Sequence, residues 1–219
     1  AGMAKTPLIA DGDTGYGGLL NVRHTVRGYE AAGAAAIQLE DQEFPKKCGH
    51  TPGRRVISME DMVKKIEVAV ASRTDPNFQI IARTDARTTL GLDEALRRGE
   101  AYAKAGADIL FIESPESVEE MQTICQTFRG KPLIANMVEK GRTPVLSKED
   151  LEKLGYKIAI FPVTALLASV QAMTKVYEQF KSTGSSVDQA VDLYDFGELS
   201  KLMGFEDVWE FEKKFVETK

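Results

Sequence analysis

Short apolar runs alternate with longer amphipathic stretches along most of this 219-residue chain, and no other feature restricts its fold as strongly. The apolar runs are hydrophobic at nearly every position, as expected for strands that are buried on both faces of a sheet. They predict strands at Pro7–Ala10, Ala35–Leu39, Phe78–Ala82, Asp108–Ile112, Pro132–Ala135 and Lys157–Pro162. The amphipathic stretches predict helices at Leu19–Ala32, Met59–Ser72, Leu92–Ala105, Val118–Phe128, Lys148–Leu154 and Ala165–Lys181, with serine caps at Ser58, Ser117 and Ser147. This alternation predicts an α/β fold in which helical crossovers join the strands of a parallel sheet.

Polar residues follow the apolar run of every predicted strand, and their distribution favours a barrel over an open sheet. They are Asp11 and Asp13, Glu40 and Asp41, Arg83 to Asp85, Glu113, Asn136, and Pro162 to Thr164. A (β/α)₈ barrel of the TIM type builds its active site from the carboxyl ends of many strands, whereas an open doubly wound sheet concentrates it at one switch point. We therefore predict a TIM-type barrel, of which about six of the eight strand–helix units can be counted.

Charge and cysteine content restrict the partners of the chain. The net charge is −5 and no basic run exceeds two residues, so no nucleic-acid partner is expected. No apolar run approaches the length of a membrane span, so no membrane partner is expected either. Cys48 and Cys125 are the only cysteines, which is too few for a disulfide framework. This predicts a reducing compartment, the cytoplasm or the mitochondrion, with Cys125 as a small buried residue of a helix.

Asp11 and Asp13 lie two residues apart at a predicted strand end, so their side chains are expected to point to the same side. Together with Glu40 at the next strand end they could hold Mg²⁺, with water or substrate oxygens as the remaining ligands. The alternative is a plain glycine-rich turn in which the aspartates cap the following helix.

The segment Phe44–His50 places Cys48 beside Lys46, Lys47, Gly49 and His50 in a loop without apolar periodicity. Cationic neighbours favour the thiolate form of a cysteine, and a histidine can exchange a proton near neutral pH. A structural role for Cys48 is the alternative, although its polar surroundings are a poor context for burial. The other histidine, His24, lies in a predicted helix and is expected to be a surface or structural residue.

Arg83 follows a buried strand, where its guanidinium must find an anion. A substrate carboxylate is one candidate, and a salt bridge to Glu113 or Asp85 is the other. Three further arginines, Arg54, Arg55 and Arg87, are expected to be solvated charges, which is the default for arginines in loops.

Five segments occur in the order found in the isocitrate lyase/phosphoenolpyruvate mutase superfamily, which the chain resembles over essentially its whole length. They are Ala10–Gly17, Gln38–Gln42, Lys46–His50, Ala82–Ala86 and Ile134–Met137. Lys-Lys-Cys-Gly-His is the most specific of them, because it is the signature loop of the lyase branch. The resemblance implies that the Asp-Gly-Asp strand is the third of the barrel. The first two strands and their substrate-binding serine–glycine loop would then lie outside this chain.

The resemblance also implies a set of site residues. Cys48 would be the catalytic acid that protonates the carbanion released by carbon–carbon cleavage, with His50 and Lys46 tuning the thiol and binding carboxylate. Substrate contacts are implied for Cys48, Gly49, His50, Arg83, Glu113, Asn136 and Pro162. Metal ligation is implied for Asp11, Asp13 and Glu40, with Mg²⁺ as the ion and Mn²⁺ as the alternative.

The implied reaction is cleavage of a small 2-hydroxy dicarboxylate, such as 2,3-dimethylmalate, to pyruvate and a carboxylic acid. Leu167 and Phe196 stand where methylisocitrate lyases resembling this chain have arginines for a third carboxylate, and Pro162 stands where oxaloacetate hydrolases tend to have serine. Methylisocitrate cleavage and oxaloacetate hydrolysis are therefore alternatives of lower rank. Phosphonate mutase chemistry is disfavoured because that branch does not carry the cysteine loop. A non-catalytic, oligomerising fragment is the alternative from a different class.

Two domains are expected. Residues 1–183 would form the partial barrel, and residues 184–219 would form a C-terminal helical extension with an apolar stripe that includes Phe205, Trp209 and Phe215. The resemblance implies that a helix of this extension is exchanged between subunits of a homotetramer.

Overall fold

The structure, a computed structural model, describes residues 4–49, 51, 53–187 and 190–216. In these residues it has six strands: β1 Ile9–Asp11, β2 Ala36–Glu40, β3 Gln79–Thr84, β4 Ile109–Ile112, β5 Ile134–Asn136 and β6 Ile158–Ile160. Its helices there are α1 Leu19–Ala31, α2 Met59–Ser72, α3 Ala86–Leu90, α4 Leu92–Lys104, α5 Val118–Thr127, α6 Lys148–Leu154, α7 Thr164–Thr183, α8 Phe196–Leu202 and α9 Phe205–Phe215. Every predicted strand and helix is present within a few residues, and only the five-residue α3 was not predicted.

The strands follow one another in the order of the chain, and every pairing is parallel. β1 to β4 form one sheet, β5 pairs with β6, and a parallel bridge between Leu110 and Leu133 connects the two groups. The order of the described strands never reverses, so there is no switch point of the doubly wound kind among them. Six successive parallel strands with helical crossovers form the wall of a (β/α)₈ barrel, which confirms the predicted fold class.

Alternate residues of the strands belong to two separate layers of the core. Ile37, Ile80 and Leu110 pack with helix residues in the layer between sheet and helices. Ile81 and Phe111 belong to a second cluster made of strand residues, on the inner face of the sheet. Since the side-chain period of a strand is two, the inner face also receives Glu40, Arg83, Glu113 and Asn136, which end their strands in phase with the inner cluster. The core packing therefore determines which polar side chains enter the barrel.

Helix starts follow the serine signals of the sequence. The hydroxyl groups of Ser58, Ser117 and Ser147 accept hydrogen bonds from the backbone amides of the third helical residue of α2, α5 and α6. Each of these helices has two acidic residues in its first turn, where they complement the helix dipole. These caps fix the helices that pack on the outer face of the sheet.

The chain divides into two compact units, one ending at Val163 and the other beginning at Thr164. The first unit contains the six strands and α1 to α6. The second contains α7 to α9, where the Phe205 and Trp209 rings lie 6.0 Å apart and the Phe211 and Phe215 rings 4.9 Å apart. The predicted boundary after residue 183 stays a prediction, while the contacts group α7 with the C-terminal helices. Among the described residues, no helix combines the length and the apolar character that crossing a bilayer requires.

Candidate active site

A cavity of about 360 Å³ opens at the carboxyl ends of the strands in the first unit. It is lined by residues from several strand ends and from the loop after β2. They include Asp11, Gln38, Lys46, Lys47, Cys48, Gly49, Arg83, Asn136, Val138 and Pro162. Most of the residues that the sequence assigned to substrate and metal therefore surround one space. His50, which was assigned to the same site, lies outside the described residues.

The Asp11–Asp13 segment is held against β2 by its backbone. Gly12 donates a hydrogen bond to the Gln38 carbonyl at 2.8 Å, and Glu40 donates one to the Asp13 carbonyl at 2.9 Å. A Cβ atom on Gly12 would approach the Gln38 carbonyl oxygen to 2.9 Å, so only glycine permits this close approach. Asp13 has a positive φ of 49°, a left-handed conformation that aspartate tolerates better than most residues. This local geometry brings the aspartates beside Glu40.

The three predicted metal ligands surround one cation, the ammonium group of Lys46. Its Nζ atom lies 2.5 Å from Asp13 Oδ1, 3.5 Å from Asp11 Oδ2 and 3.6 Å from Glu40 Oε2. Partial burial works to lower the pKa of Lys46, but the hydrogen bond to Asp13 and the charges of Glu40 and Asp11 outweigh it and raise the pKa. The structure therefore places Lys46 as a permanent cation within the acidic cluster.

Glu40 is the buried member of that cluster. Its carboxylate is completely inaccessible to solvent, and neither oxygen has a hydrogen-bond partner in the part of the chain that the structure describes. Burial raises the pKa of Glu40 to about 7, against the opposing influence of Arg83. A buried carboxylate without hydrogen bonds is costly, so its surroundings are incomplete without a further cation or donor.

The donor set of the cluster fits a hard divalent cation. The described residues contain no group of three or more His, Cys, Asp or Glu side chains arranged closely enough to hold an ion together. Mg²⁺, however, is usually held by one or two carboxylates and retains several water molecules. Three carboxylates that already converge on one ammonium group, one of them without hydrogen-bond partners, meet that requirement.

The loop after β2 is held at its base by Gln42 and reaches into the barrel at Gly49. The Gln42 amide donates to the Lys47 carbonyl at 2.9 Å and accepts from the Lys47 amide at 3.0 Å. A Cβ atom on Gly49 would come within 2.6 Å of Arg83 Nη2 and 2.8 Å of Glu113 Oε1. The glycine therefore lets the loop rest directly on these two side chains, and the Cys48 thiol next to it remains exposed.

Arg83 is embedded among carboxylates at the inner face of the barrel. It donates two hydrogen bonds to Asp85, at 2.9 and 3.0 Å, and lies 3.6 Å from Glu113 and 3.7 Å from Glu40. Asn136 donates to both oxygens of Glu113 at 3.3 Å. The salt bridge that the sequence left open as an alternative is therefore present. A guanidinium group has five N–H donors, so pairing with Asp85 leaves donors that can meet a substrate carboxylate.

Asp41, the neighbour of Glu40, lies at the centre of a buried network. Its carboxylate accepts hydrogen bonds from Thr84 at 2.7 Å, Tyr102 at 2.8 Å, Arg98 at 3.0 Å and the backbone amide of Asp85 at 2.9 Å. Burial raises the pKa of Asp41, and these hydrogen bonds oppose the rise. The network fixes the end of β3, and with it the carboxylate that holds Arg83.

Arg54 is a residue whose role the sequence did not reveal. It was expected to be a solvated charge, but that prediction is wrong, because its side chain is fully buried and donates to Asp85 at 2.6 Å. It also bonds to Thr88. Arg87 is likewise paired, with Glu116 and Glu120, whereas Arg55 is exposed and contacts Glu43. Only the fold brings Arg54 and Asp85 together, so no local pattern marks this contact.

Comparisons with known proteins show which family the chain resembles over most of its length. The family model described as phosphoenolpyruvate phosphomutase matches residues 1–181. A 2,3-dimethylmalate lyase of Eubacterium barkeri is 51% identical over 213 residues, which are 97% of this chain and 73% of that protein. A 2-methylisocitrate lyase of Aeropyrum pernix is 45% identical over 215 residues, covering 98% of this chain and 68% of that protein. The crystal structure of a phosphonopyruvate hydrolase with oxalate and Mg²⁺ superposes with a TM-score of 0.85 at 34% identity, covering 99% of this chain and 75% of that one.

Proposed function

The chain belongs to the isocitrate lyase/phosphoenolpyruvate mutase superfamily, and from this premise we propose that it is a Mg²⁺-dependent carbon–carbon lyase. Its substrate is a small 2-hydroxy dicarboxylate of the 2,3-dimethylmalate type, which it cleaves to pyruvate and a carboxylic acid. The observation that carries this proposal is the cavity itself, which is lined by an exposed cysteine, a buried arginine and Asp11 of the acidic cluster. The 51% identity to a 2,3-dimethylmalate lyase supports it.

The reaction breaks the bond between the hydroxyl-bearing carbon and its neighbour. The hydroxyl group loses its proton to solvent as its carbon becomes the carbonyl carbon of pyruvate, and the neighbouring carbon departs as a carbanion that needs a proton. The exposed thiol of Cys48 lines the cavity and supplies that proton as a general acid. Asp11, Asp13 and Glu40 would hold Mg²⁺, which when bound stabilises negative charge on the oxygen of the 2-oxo acid.

Arg83 and Asn136 orient the substrate in this proposal. Both line the cavity, and Arg83 presents a planar guanidinium suited to a carboxylate. Asp85 holds the guanidinium from behind with two hydrogen bonds, so its direction is set before substrate arrives. Pre-orientation of this kind lowers the entropy cost of reaching the reactive geometry.

Pro162 favours cleavage over hydrolysis of oxaloacetate. It lines the cavity, and a proline offers no side-chain or backbone donor for a hydrated ketone. Leu167 and Phe196 lie in α7 and α8, and their relation to a third substrate carboxylate remains the prediction made from the sequence. We accordingly propose that methylisocitrate is cleaved less efficiently than a methylated malate.

Pyruvate release by the full-length protein tests this function. The substrates are 2,3-dimethylmalate, methylisocitrate, isocitrate and oxaloacetate, each with Mg²⁺ and with chelator. We expect 2,3-dimethylmalate to give the highest kcat/KM and chelator to stop turnover. Methylisocitrate as the best substrate would contradict the substrate class, and full activity in chelator would contradict the metal.

Cys48→Ser tests the proton donor in the same assay. We expect a loss of about 10²–10⁴-fold in kcat with little change in KM, because a hydroxyl group is a much weaker acid than a thiol. Cys125→Ala is the matched control, since Cys125 is buried on α5 and burial raises its pKa to about 11. Near-normal turnover by Cys48→Ser would show that the proton comes from another group.

Assembly and compartment complete the proposal. The C-terminal helices expose large apolar side chains such as Phe196, Trp209 and Phe211, which supports burial in a homotetramer. Sedimentation of the full-length protein as a monomer at micromolar concentration would contradict the homotetramer.

The free thiols of Cys48 and Cys125 support a reducing compartment.

A further inference from the structure

Lys46 lies in the loop of Cys48, but its side chain contacts the acidic cluster. Its ammonium group lies within 3.6 Å of all three carboxylates that would hold the metal, and only 2.5 Å from Asp13. A cation of charge +1 therefore already lies where the proposed function requires a cation of charge +2.

The two cations cannot share this position. Each of the three carboxylates has the lysine ammonium within ion-pair distance, so a metal ion that binds these oxygens must break the contacts to Lys46. Repulsion between an ammonium group and Mg²⁺ a few ångströms apart adds to that cost. Glu40, fully buried, cannot turn towards solvent to make room, whereas Lys46 keeps about a third of its side-chain surface exposed. Asp11 and Asp13 are also partly exposed, but as ligands they must stay at the metal, so the lysine is the partner that moves.

Lys46 belongs to the same loop as Cys48 and Gly49. Cys48 follows two residues later, and Gly49 rests on Arg83 and Glu113. On the other side, Gln42 holds the Lys47 backbone through two hydrogen bonds. The loop backbone is thus held at Lys47 and Gly49, so the side chain of Lys46 can exchange partners while the loop stays in place, with Cys48 between the two held residues.

We propose that Lys46 is an internal cation that occupies the metal position until Mg²⁺ displaces it. Displacement frees the ammonium group to pair with a carboxylate of the substrate, because Lys46 also lines the cavity. Binding of Mg²⁺ then releases the Lys46 side chain from the three carboxylates and, through the shared loop, changes the exposure of the Cys48 thiol. This inference depends on the metal site of the proposed function.

Titration calorimetry of the chelator-treated full-length protein with MgCl₂, without substrate, tests the exchange. We expect Lys46→Met to bind Mg²⁺ about tenfold more tightly than the wild type, because no charge-assisted hydrogen bond has to be broken. Lys47→Met is the matched control, since it removes the same charge from the neighbouring residue, and its affinity should stay within about twofold of the wild type. Equal or weaker binding by Lys46→Met would overturn the inference.

A third variant separates the two proposals. Asp13→Asn should bind Mg²⁺ at least tenfold more weakly than the wild type, because it loses a charged ligand. If Asp13→Asn weakens binding and Lys46→Met leaves it unchanged, the metal site stands and the exchange is overturned. If Asp13→Asn binds as the wild type does, the proposed metal site itself is wrong, and the exchange falls with it.

The thiol of Cys48 gives a second readout that does not depend on activity. Cys48 is exposed and Cys125 is buried, so the first thiol to react with a disulfide reagent in the native protein is Cys48. Mg²⁺ should change this rate at least twofold in the wild type and leave it unchanged in Lys46→Met, which has no ammonium group to displace. The same response to Mg²⁺ in both proteins would contradict coupling of the loop to the metal.

Discussion

Glu40 and Asp41 are adjacent acidic residues at the end of β2, and both are fully buried, yet their surroundings are opposite in kind. Asp41 accepts four hydrogen bonds, from Thr84, Arg98, Tyr102 and the Asp85 backbone. Glu40 accepts none from the described residues and has only the cations of Lys46 and Arg83 at 3.6 and 3.7 Å. Because strand residues alternate, Asp41 points to the helix side and Glu40 into the barrel.

The difference shows how one strand end can serve both stability and function. A buried carboxylate with all its hydrogen bonds rigidifies its surroundings, whereas an incompletely paired one stores free energy that a ligand can release. Asp41 fixes the backbone that carries Asp85 and Arg83, while Glu40 is one of the carboxylates proposed to hold Mg²⁺. Substitutions at the two residues should therefore have opposite consequences.

Glu40→Gln should have the largest effect on turnover. We expect Mg²⁺-dependent pyruvate release to be abolished, because the amide removes a charged metal ligand. We expect the free energy of unfolding without metal to stay the same or rise, since a buried carboxylate that accepts no hydrogen bond from the described residues is removed. Turnover and urea unfolding of the same preparation check both parts of this prediction. The variant Asp13→Ala should also lose turnover and keep its fold, because Asp13 is another of the proposed metal ligands. A Glu40→Gln protein that unfolds far more easily would show that Glu40 is a structural residue.

Asp41→Asn should have the largest effect on stability. Removing the charge leaves the buried Arg98 with only the partly exposed Glu94 as an ion-pair partner, and breaking the buried pair costs about 3–5 kcal/mol of the free energy of unfolding. The Mg²⁺ affinity of the folded protein should change by less than a few-fold, because Asp41 faces away from the proposed metal site. Denaturant unfolding and calorimetry measure the two quantities. The contrast between the neighbours would break down if Asp41→Asn bound Mg²⁺ weakly while unfolding normally.

The fold could be predicted largely from the sequence, because its signals are local. Apolar runs, serine caps and glycines after helix ends each act within a few residues, and all six strands follow from them. Helix α3 was missed because Ala86–Leu90 is too short to show an amphipathic period. The units that would close the barrel could be inferred only from the family resemblance.

The sequence could predict which residues belong to the candidate site, but not which of them form hydrogen bonds and ion pairs with each other. Which residues end the strands is a local property, so Asp11, Glu40 and Arg83 were found. That Arg54 is buried against Asp85, 31 positions away, depends on the fold. Arg98 and Tyr102 lie four residues apart on the buried face of α4, and polar groups on such a face are the one sequence signal that could have indicated the Asp41 network.

Gly49→Ala should have the third-largest effect, and it acts on the barrel interior that Glu40 also faces. The new Cβ atom would approach Arg83 Nη2 to 2.6 Å and must displace it, at a cost of about 1–3 kcal/mol. We expect kcat/KM to fall about tenfold to a hundredfold. Gly18→Ala is the control, because a Cβ atom there meets nothing within 4 Å. If both variants retained normal kcat/KM, the close contact between loop and guanidinium would be irrelevant to catalysis.

The smallest effect is expected at the surface end of the Asp41 network, where Glu94 accepts a hydrogen bond from Arg98 at 2.8 Å. Glu94 also accepts a hydrogen bond from Arg97, and this bond lowers the pKa of Glu94 below the ordinary value of 4.5. The hydrogen bond from Arg98 lowers the pKa of Glu94 as well. A lowered pKa stabilises the fold above pH 4.5, and this contribution is lost as the pH falls through the pKa of the folded state. Glu94→Gln should therefore cost only about 0.5 kcal/mol at pH 7, typical of an exposed pair, and nothing in strong acid. Urea unfolding between pH 3 and 7, with Glu100→Gln on the same helix as control, measures this. If Glu94→Gln lowered the free energy of unfolding at pH 7 as much as Asp41→Asn does, the ion pairs of Arg98 with Glu94 and with Asp41 would be equally strong. Burial would then not be what makes the Asp41 pair the more important one.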